Sequence, residues 1–291
     1  MPRARTILSL LAVVLVALTA ALTTHAQDRP RMPPDMPENP TRPSQPQNPR
    51  FQPGVLAFDV DYQHDGHALR GMIAEPRGLD IRGTVLIVHQ WRGLGDEEKQ
   101  RARMLAELGY RAFAIDMYGA GVWAADTEEA ARRATEFYNN RPLMRARVQA
   151  AIDALKRDGR LTSNLAAIGY CFGGTVVLEC ARAGFDLNAA VSFHGGLAFD
   201  GPPEVGQVKA AVLVCNGNAD PLVSHEDRVK FKREMEAARA DFIFIDYAKA
   251  VHSFTSKAAG APAPGKATAY DEAADKRSWQ AMRALFEETM R

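Results

Sequence analysis

The run Ala167-Ile168-Gly169-Tyr170-Cys171-Phe172-Gly173-Gly174 constrains this chain more than any other stretch. Apolar residues from Leu165 to Ile168 read as a strand, and Thr175 to Arg182 is compatible with a helix, so the octet must turn sharply from one to the other. Glycines two before and two after the cysteine remove the Cβ atoms that would collide across such a bend. A nucleophile on a turn of this kind sits in strained backbone with its side chain presented outward. The positive end of the following helix favours thiolate over thiol. The plainer alternative is a small core residue closing a buried strand.

A sulfur nucleophile needs a base, and the base needs a group to orient it. In α/β-hydrolase folds these follow in the order nucleophile, acid, histidine. Leu213 to Gly217 reads as a buried strand running into a tight turn that ends at Asp220-Pro221, and Phe242 to Tyr247 reads as a further strand followed by a loop with Val251-His252-Ser253-Phe254. Asp220 and His252 therefore complete the set, although an Asp-Pro pair also serves as an ordinary turn or helix cap. Oxyanion donors are expected from the backbone N–H of Phe172 and from the loop after the third strand. That strand is the apolar run Thr84 to Val88, and its loop, His89-Gln90-Trp91-Arg92-Gly93-Leu94-Gly95, offers the N–H of Trp91.

These residues resemble the dienelactone hydrolase family. The likeness lies in the Gly-x-Cys-x-Gly-Gly turn, Asp220-Pro221-Leu222-Val223, His252-Ser253-Phe254, the His89-Gln90-Trp91 loop and the closing Arg277-Ser278-Trp279 helix, and it spans residue 55 to the C-terminus. It implies a Cys171–His252–Asp220 triad that hydrolyses esters or lactones with no metal and no organic cofactor. The best-known members carry a glutamate where this chain has Gln90, and a substrate-gripping arginine where it has Ser256 followed by Lys257. Charge for an anionic substrate would then come from Lys257, from Arg92 or from neither. Loss of the two family side chains also admits an alternative, a decayed enzyme that binds an envelope ligand or partner.

The remaining signals alternate between strand and helix, which argues for a mostly parallel, doubly wound α/β sheet with helices on both faces. Val55 to Tyr62 and Ala68 to Glu75 read as an antiparallel hairpin turning at Asp65-Gly66. Tyr118 to Arg141 reads as an insertion whose Trp123, Phe137 and Tyr138 either face substrate or pack a helix. His194 ends another strand and either touches substrate or competes with His252 as base; His252 is preferred because it follows the last strand. Gln90, Arg92, Trp123, His194, Phe254 and Lys257 are thus the candidate substrate contacts.

Residues 1–26 have the character of a cleaved leader: Arg3 and Arg5, an apolar stretch from Ile7 to Leu22, and Thr24-His25-Ala26 as the cleavage site. Residues 27–53 are proline-rich and suit a spacer, leaving 54–291 as the folded domain of a periplasmic or secreted protein. Of three cysteines, Cys180 and Cys215 read as packed apolar side chains. A net charge of +1 over 291 residues gives no footprint for nucleic acid. The expected partner is a small ester or lactone, on a monomer or weak dimer with no stable membrane insertion after leader removal.

Overall fold

The computed structural model describes residues 54–199 and 201–291. The expected leader (1–26) and spacer (27–53) lie outside the described residues. Strands β1 (Val55–His64) and β2 (His67–Pro76) form the expected antiparallel hairpin. It turns through Asp65 at φ +49° and Gly66 at φ +76°, the left-handed pair that a two-residue hairpin needs.

Six further strands complete one sheet: β3 (Thr84–Val88), β4 (Arg111–Ile115), β5 (Leu165–Tyr170), β6 (Ala189–Phe193), β7 (Ala211–Gly217) and β8 (Phe242–Tyr247). The order is β1-β2-β4-β3-β5-β6-β7-β8. Every pairing from β4 to β8 is parallel, while β2 joins β4 antiparallel. The doubly wound, mostly parallel sheet expected from the sequence is therefore present, with the hairpin appended at one edge.

Strand side chains alternate between faces, and each face carries its own core. Leu86, Val88, Phe113, Ile115, Val212 and Val214 point to one side. There they meet α2 (Thr127–Tyr138), α3 (Arg141–Arg157), α4 (Phe172–Arg182) and α5 (His225–Ala237). Val85, Ile87, Ala112, Ala166, Val191 and Leu213 point to the other side, against α1 (Asp96–Glu107) and α6 (Glu272–Thr289). Both faces are covered, so the central strands read as unbroken apolar runs rather than alternating ones. A buried ion pair, Arg182 Nε to Glu234 Oε1 at 2.6 Å, ties α4 to α5.

In a parallel sheet wound this way, functional loops gather at the carboxyl ends of the strands. Here those loops carry Gln90 after β3, Cys171 after β5, His194 after β6, Asp220 after β7 and His252 after β8. Among the described residues no helix is long and apolar enough to cross a membrane.

Candidate active site

Cys171 occupies the joint between β5 and α4, with φ +53° and ψ −115°. A β-carbon-bearing residue held there costs about 1–3 kcal/mol of strain, so the surroundings must enforce it. They do so by close backbone approach. A Cβ on Gly169 would strike the carbonyl of Gly173, and one on Gly173 would strike the carbonyl of Val88 in β3. The next side chain, Phe172, is fully buried in an aromatic cluster. Its ring lies 5.6 Å from Tyr118, 5.7 Å from Phe137 and Tyr138, and 5.8 Å from His89. Phe137 and Tyr138 thus pack, and the helix they belong to anchors the turn.

Three predicted residues from three separate loops meet here. His252 Nε2 lies 3.1 Å from Cys171 Sγ, and His252 Nδ1 lies 2.8 Å from Asp220 Oδ2. The second carboxylate oxygen, Asp220 Oδ1, accepts the N–H of Leu222 at 2.8 Å, which fixes the carboxylate plane. The His252 backbone is held by exchange with a neighbouring segment: its N–H donates to Ala267 O, and its carbonyl accepts from Ala269, both at 3.1 Å. Burial works against a charged imidazole at this position. The Asp220 carboxylate and then the Cys171 sulfur outweigh it, holding the His252 pKa well above the ordinary value. The arrangement favours the imidazolium form of His252.

The β3 loop contributes a second feature. His89 is fully buried and neutral, because burial lowers its pKa. Its Nε2 accepts the N–H of Met117 at 3.1 Å, so the proton sits on Nδ1 and is donated to Gln90 O at 2.5 Å. Carbonyl and N–H of a trans peptide point opposite ways. Anchoring Gln90 O therefore points the N–H of Trp91 in the opposite direction. Tyr118 Oη donates to Trp91 O at 2.9 Å and secures the next peptide. Neither Trp91 N–H nor Phe172 N–H has a hydrogen-bond partner among the described residues. Two free donors flank the turn, as an oxyanion would require.

A cavity of about 810 Å³ opens beside this group. Trp91 and Ser253 border it, with Trp123, Tyr270 and Trp279 as further aromatic walls and Lys257 at its lining. Cys171 and His252 do not line it; they sit behind that wall, 6 % and 4 % exposed. Gln90 lines it too, but its amide is engaged: Nε2 donates to Glu97 Oε2 at 2.8 Å and approaches Glu98 Oε1 at 3.5 Å. Arg92 also borders it, but is buried and donates to the carbonyls of Ala124 and Ala125.

Two expected substrate contacts need correction. His194 and Phe254 are fully buried and line no part of the cavity. The reason is packing: the Phe254 ring stands edge-on to His194 at 5.1 Å and against Tyr247 at 5.5 Å, sealed beneath the loop. Nor can His194 compete as base, because its two nitrogens face the backbone N–H of Cys171 and the hydroxyl of Thr255.

Sequence reasoning missed Glu97 and Glu98, which join the loops. Glu97 Oε1 accepts from Ser256 Oγ at 2.8 Å while its other oxygen holds Gln90, so one carboxylate links both sides of the cavity. Glu98 caps α1 through Gly95 N–H at 3.1 Å and also accepts Gln90 N–H at 3.3 Å. Burial, followed by the neighbouring Glu97 charge, pushes its carboxyl up to about 7. An acidic residue three positions after Gly95, opening a helix, was the available signal for the cap. All three cysteines are free and buried. Burial raises the thiol of Cys180 far up and that of Cys215 to about 12, leaving both inert.

Comparison with known proteins identifies the family and agrees with the fold. The model of the dienelactone hydrolase family matches residues 69–290. An uncharacterized Caenorhabditis elegans protein is 40 % identical over 141 residues, covering 47 % of this chain and 89 % of that one. A Methylorubrum extorquens protein, provisionally named a carboxymethylenebutenolidase, is 27 % identical over 199 residues, covering 63 % of this chain and 68 % of its own length. Among solved structures, a dienelactone hydrolase-like promiscuous phosphotriesterase from metagenomic libraries superimposes with TM-score 0.74 at 38 % identity, covering 81 % of this chain and 99 % of that one.

Proposed function

The chain belongs to the dienelactone hydrolase family and is a carboxylic ester or lactone hydrolase, and on that premise we propose that Cys171 is its nucleophile, working through a thioester. The observation that carries this reading is the 3.1 Å approach of His252 Nε2 to Cys171 Sγ, with Asp220 2.8 Å behind the imidazole. His252 takes the thiol proton, and Asp220 holds the resulting imidazolium. The thiolate attacks the substrate carbonyl carbon and forms a tetrahedral adduct. Its oxyanion is received by the N–H groups of Phe172 and Trp91. As the C–O bond to the leaving alcohol breaks, His252 returns its proton to that oxygen. His252 then deprotonates water, hydroxide attacks the thioester, and collapse releases the acid and restores the thiol.

The cavity beside the triad suits a small organic ester or lactone, with Trp91, Trp123 and Trp279 supplying apolar walls and Lys257 charge at the lining. We also propose export, supported by Arg3, Arg5, the apolar run Ile7 to Leu22 and Ala26. Mass determination of protein recovered from the cell envelope should give a chain starting at Gln27.

Catalysis is tested by hydrolysis of p-nitrophenyl acetate by the wild type and by Cys171→Ala. The substitution should remove essentially all enzymatic turnover. Equal rates would exclude Cys171 as the nucleophile while leaving family membership untouched.

A further inference from the structure

His194 has no place in the chemistry above, yet it is fully buried between the two halves of the triad. Its Nδ1 lies 3.1 Å from the backbone nitrogen of Cys171, which is a donor, so Nδ1 must carry a lone pair. The proton therefore sits on Nε2, 2.7 Å from Thr255 Oγ1, and is donated there. Thr255 lies three residues beyond His252 on the same loop. Its carbonyl is held in turn by Arg101 Nη2 at 3.1 Å, and Arg101 is paired with Asp275 at 2.6 Å.

From this arrangement we propose that His194 is a positioning residue: a neutral imidazole that clamps the backbone of Cys171 to the loop carrying His252, and so sets the sulfur-to-imidazole distance. The Cys171 N–H is shared, donating also to Phe193 O at 3.0 Å, and the imidazole carries that link on to the loop that holds His252. Cys171 belongs to the β5–α4 joint and His252 to the loop after β8, and the sheet places β6 and β7 between those strands. His194, at the end of β6, reaches both. Its own backbone is left-handed, φ +42°, a conformation held only where surroundings demand it. The demand is visible: His194 N–H donates to Cys215 O at 2.9 Å, which turns the ring back under the triad.

The remaining neighbours fit a neutral ring. His252 stands edge-on at 5.3 Å and Phe254 edge-on at 5.1 Å, while Tyr170 lies tilted at 6.1 Å. A proton on His194 Nδ1 would confront the N–H of Cys171 and the imidazolium of His252 together. His194 thus works as a fixed spacer, donor on one side and acceptor on the other.

The proposal rests on Cys171 and His252 acting as nucleophile and base, which the Cys171→Ala assay tests separately. The test of the clamp cuts its far end, leaving the triad untouched. Thr255→Val keeps shape and removes the acceptor; Thr255→Ser keeps the acceptor and removes a methyl. Turnover of p-nitrophenyl acetate and the pH dependence of iodoacetamide alkylation at Cys171 are measured for each. Thr255→Val should lower kcat about tenfold, the scale of one buried neutral hydrogen bond, with KM changed less than about twofold. Its alkylation profile should move to higher pH, because a displaced imidazolium stabilises the thiolate less. Thr255→Ser should stay close to wild type in both. Should the valine variant fail to fold, Thr255→Ala makes the same cut. Wild-type kcat and alkylation in Thr255→Val, or equal losses in Thr255→Ser, would overturn the clamp. Loss of all turnover in His194→Gln with alkylation unchanged would instead make His194 a proton-transfer group, and the proposal would fail.

Discussion

Replacing Gln90 with glutamate inserts the side chain that the best-known relatives carry, and here it should be harmful. The amide nitrogen of Gln90 donates to Glu97 Oε2 at 2.8 Å and sits 3.5 Å from Glu98 Oε1. In Gln90→Glu a carboxylate oxygen takes its place. A charge-assisted hydrogen bond worth about 1.5–3 kcal/mol disappears. Two carboxylates about 4 Å apart at an effective dielectric near 20 also repel by about 4 kcal/mol before they relax or bind a proton. Rotation and proton uptake will remove part of this, leaving a net loss of about 3 kcal/mol at pH 7.5. For a domain of this size that corresponds to a fall in Tm of about 6–12 °C. At pH 5 the carboxyls share protons, and the loss should shrink to about 1 kcal/mol, or about 2–4 °C. Thermal unfolding of wild type and variant at both pH values, followed by circular dichroism, reads this directly. Equal Tm values at pH 7.5, together with a faster esterase, would mean that residue 90 swings toward Cys171. The account of the Gln90–Glu97–Glu98 group would then be wrong.

Two other consequences can be checked on the same material. Glu98 binds its proton more tightly in the folded chain, with a pKa of about 7 against an ordinary 4.5. Between those values the native state holds more protons than the unfolded one, so stability is fullest below about 4.5 and falls as pH rises to about 7, by on the order of 3 kcal/mol. Chemical denaturation across that range should show the slope in wild type and not in Glu98→Gln; an unchanged slope in the variant would assign it to another group. Asp220→Asn leaves Leu222 N–H its acceptor but places an amide against His252 Nδ1. The imidazole proton then moves to the nitrogen facing the sulfur, and kcat should fall about 10⁴-fold, with iodoacetamide alkylation at pH 6 slowed. Retention of more than about a tenth of wild-type kcat would deny Asp220 its orienting role.

The parts legible in the sequence are those set by local pattern. Buried strands announced themselves as apolar runs, Thr84 to Val88 and Leu165 to Ile168 among them, and Asp65-Gly66 located the hairpin. The glycines around Cys171 marked a turn that few other folds require. The hidden parts depend on residues distant in the chain. Nothing near Thr255 foretells that its hydroxyl meets His194, 61 positions away. Glu97 reads as an exposed first-turn acid, yet it closes on Ser256 from a loop 159 positions on. His194 and Phe254 looked available because they end a strand and open a loop; burial decided otherwise, and burial is a property of the assembled layers.

The left-handed backbone at Cys171 has one more implication. At φ +53° glycine would rest without the steric strain that a β-carbon meets, so the side chain is carried there against the local backbone preference. The proposed nucleophile therefore sets backbone comfort against reactivity at a single residue.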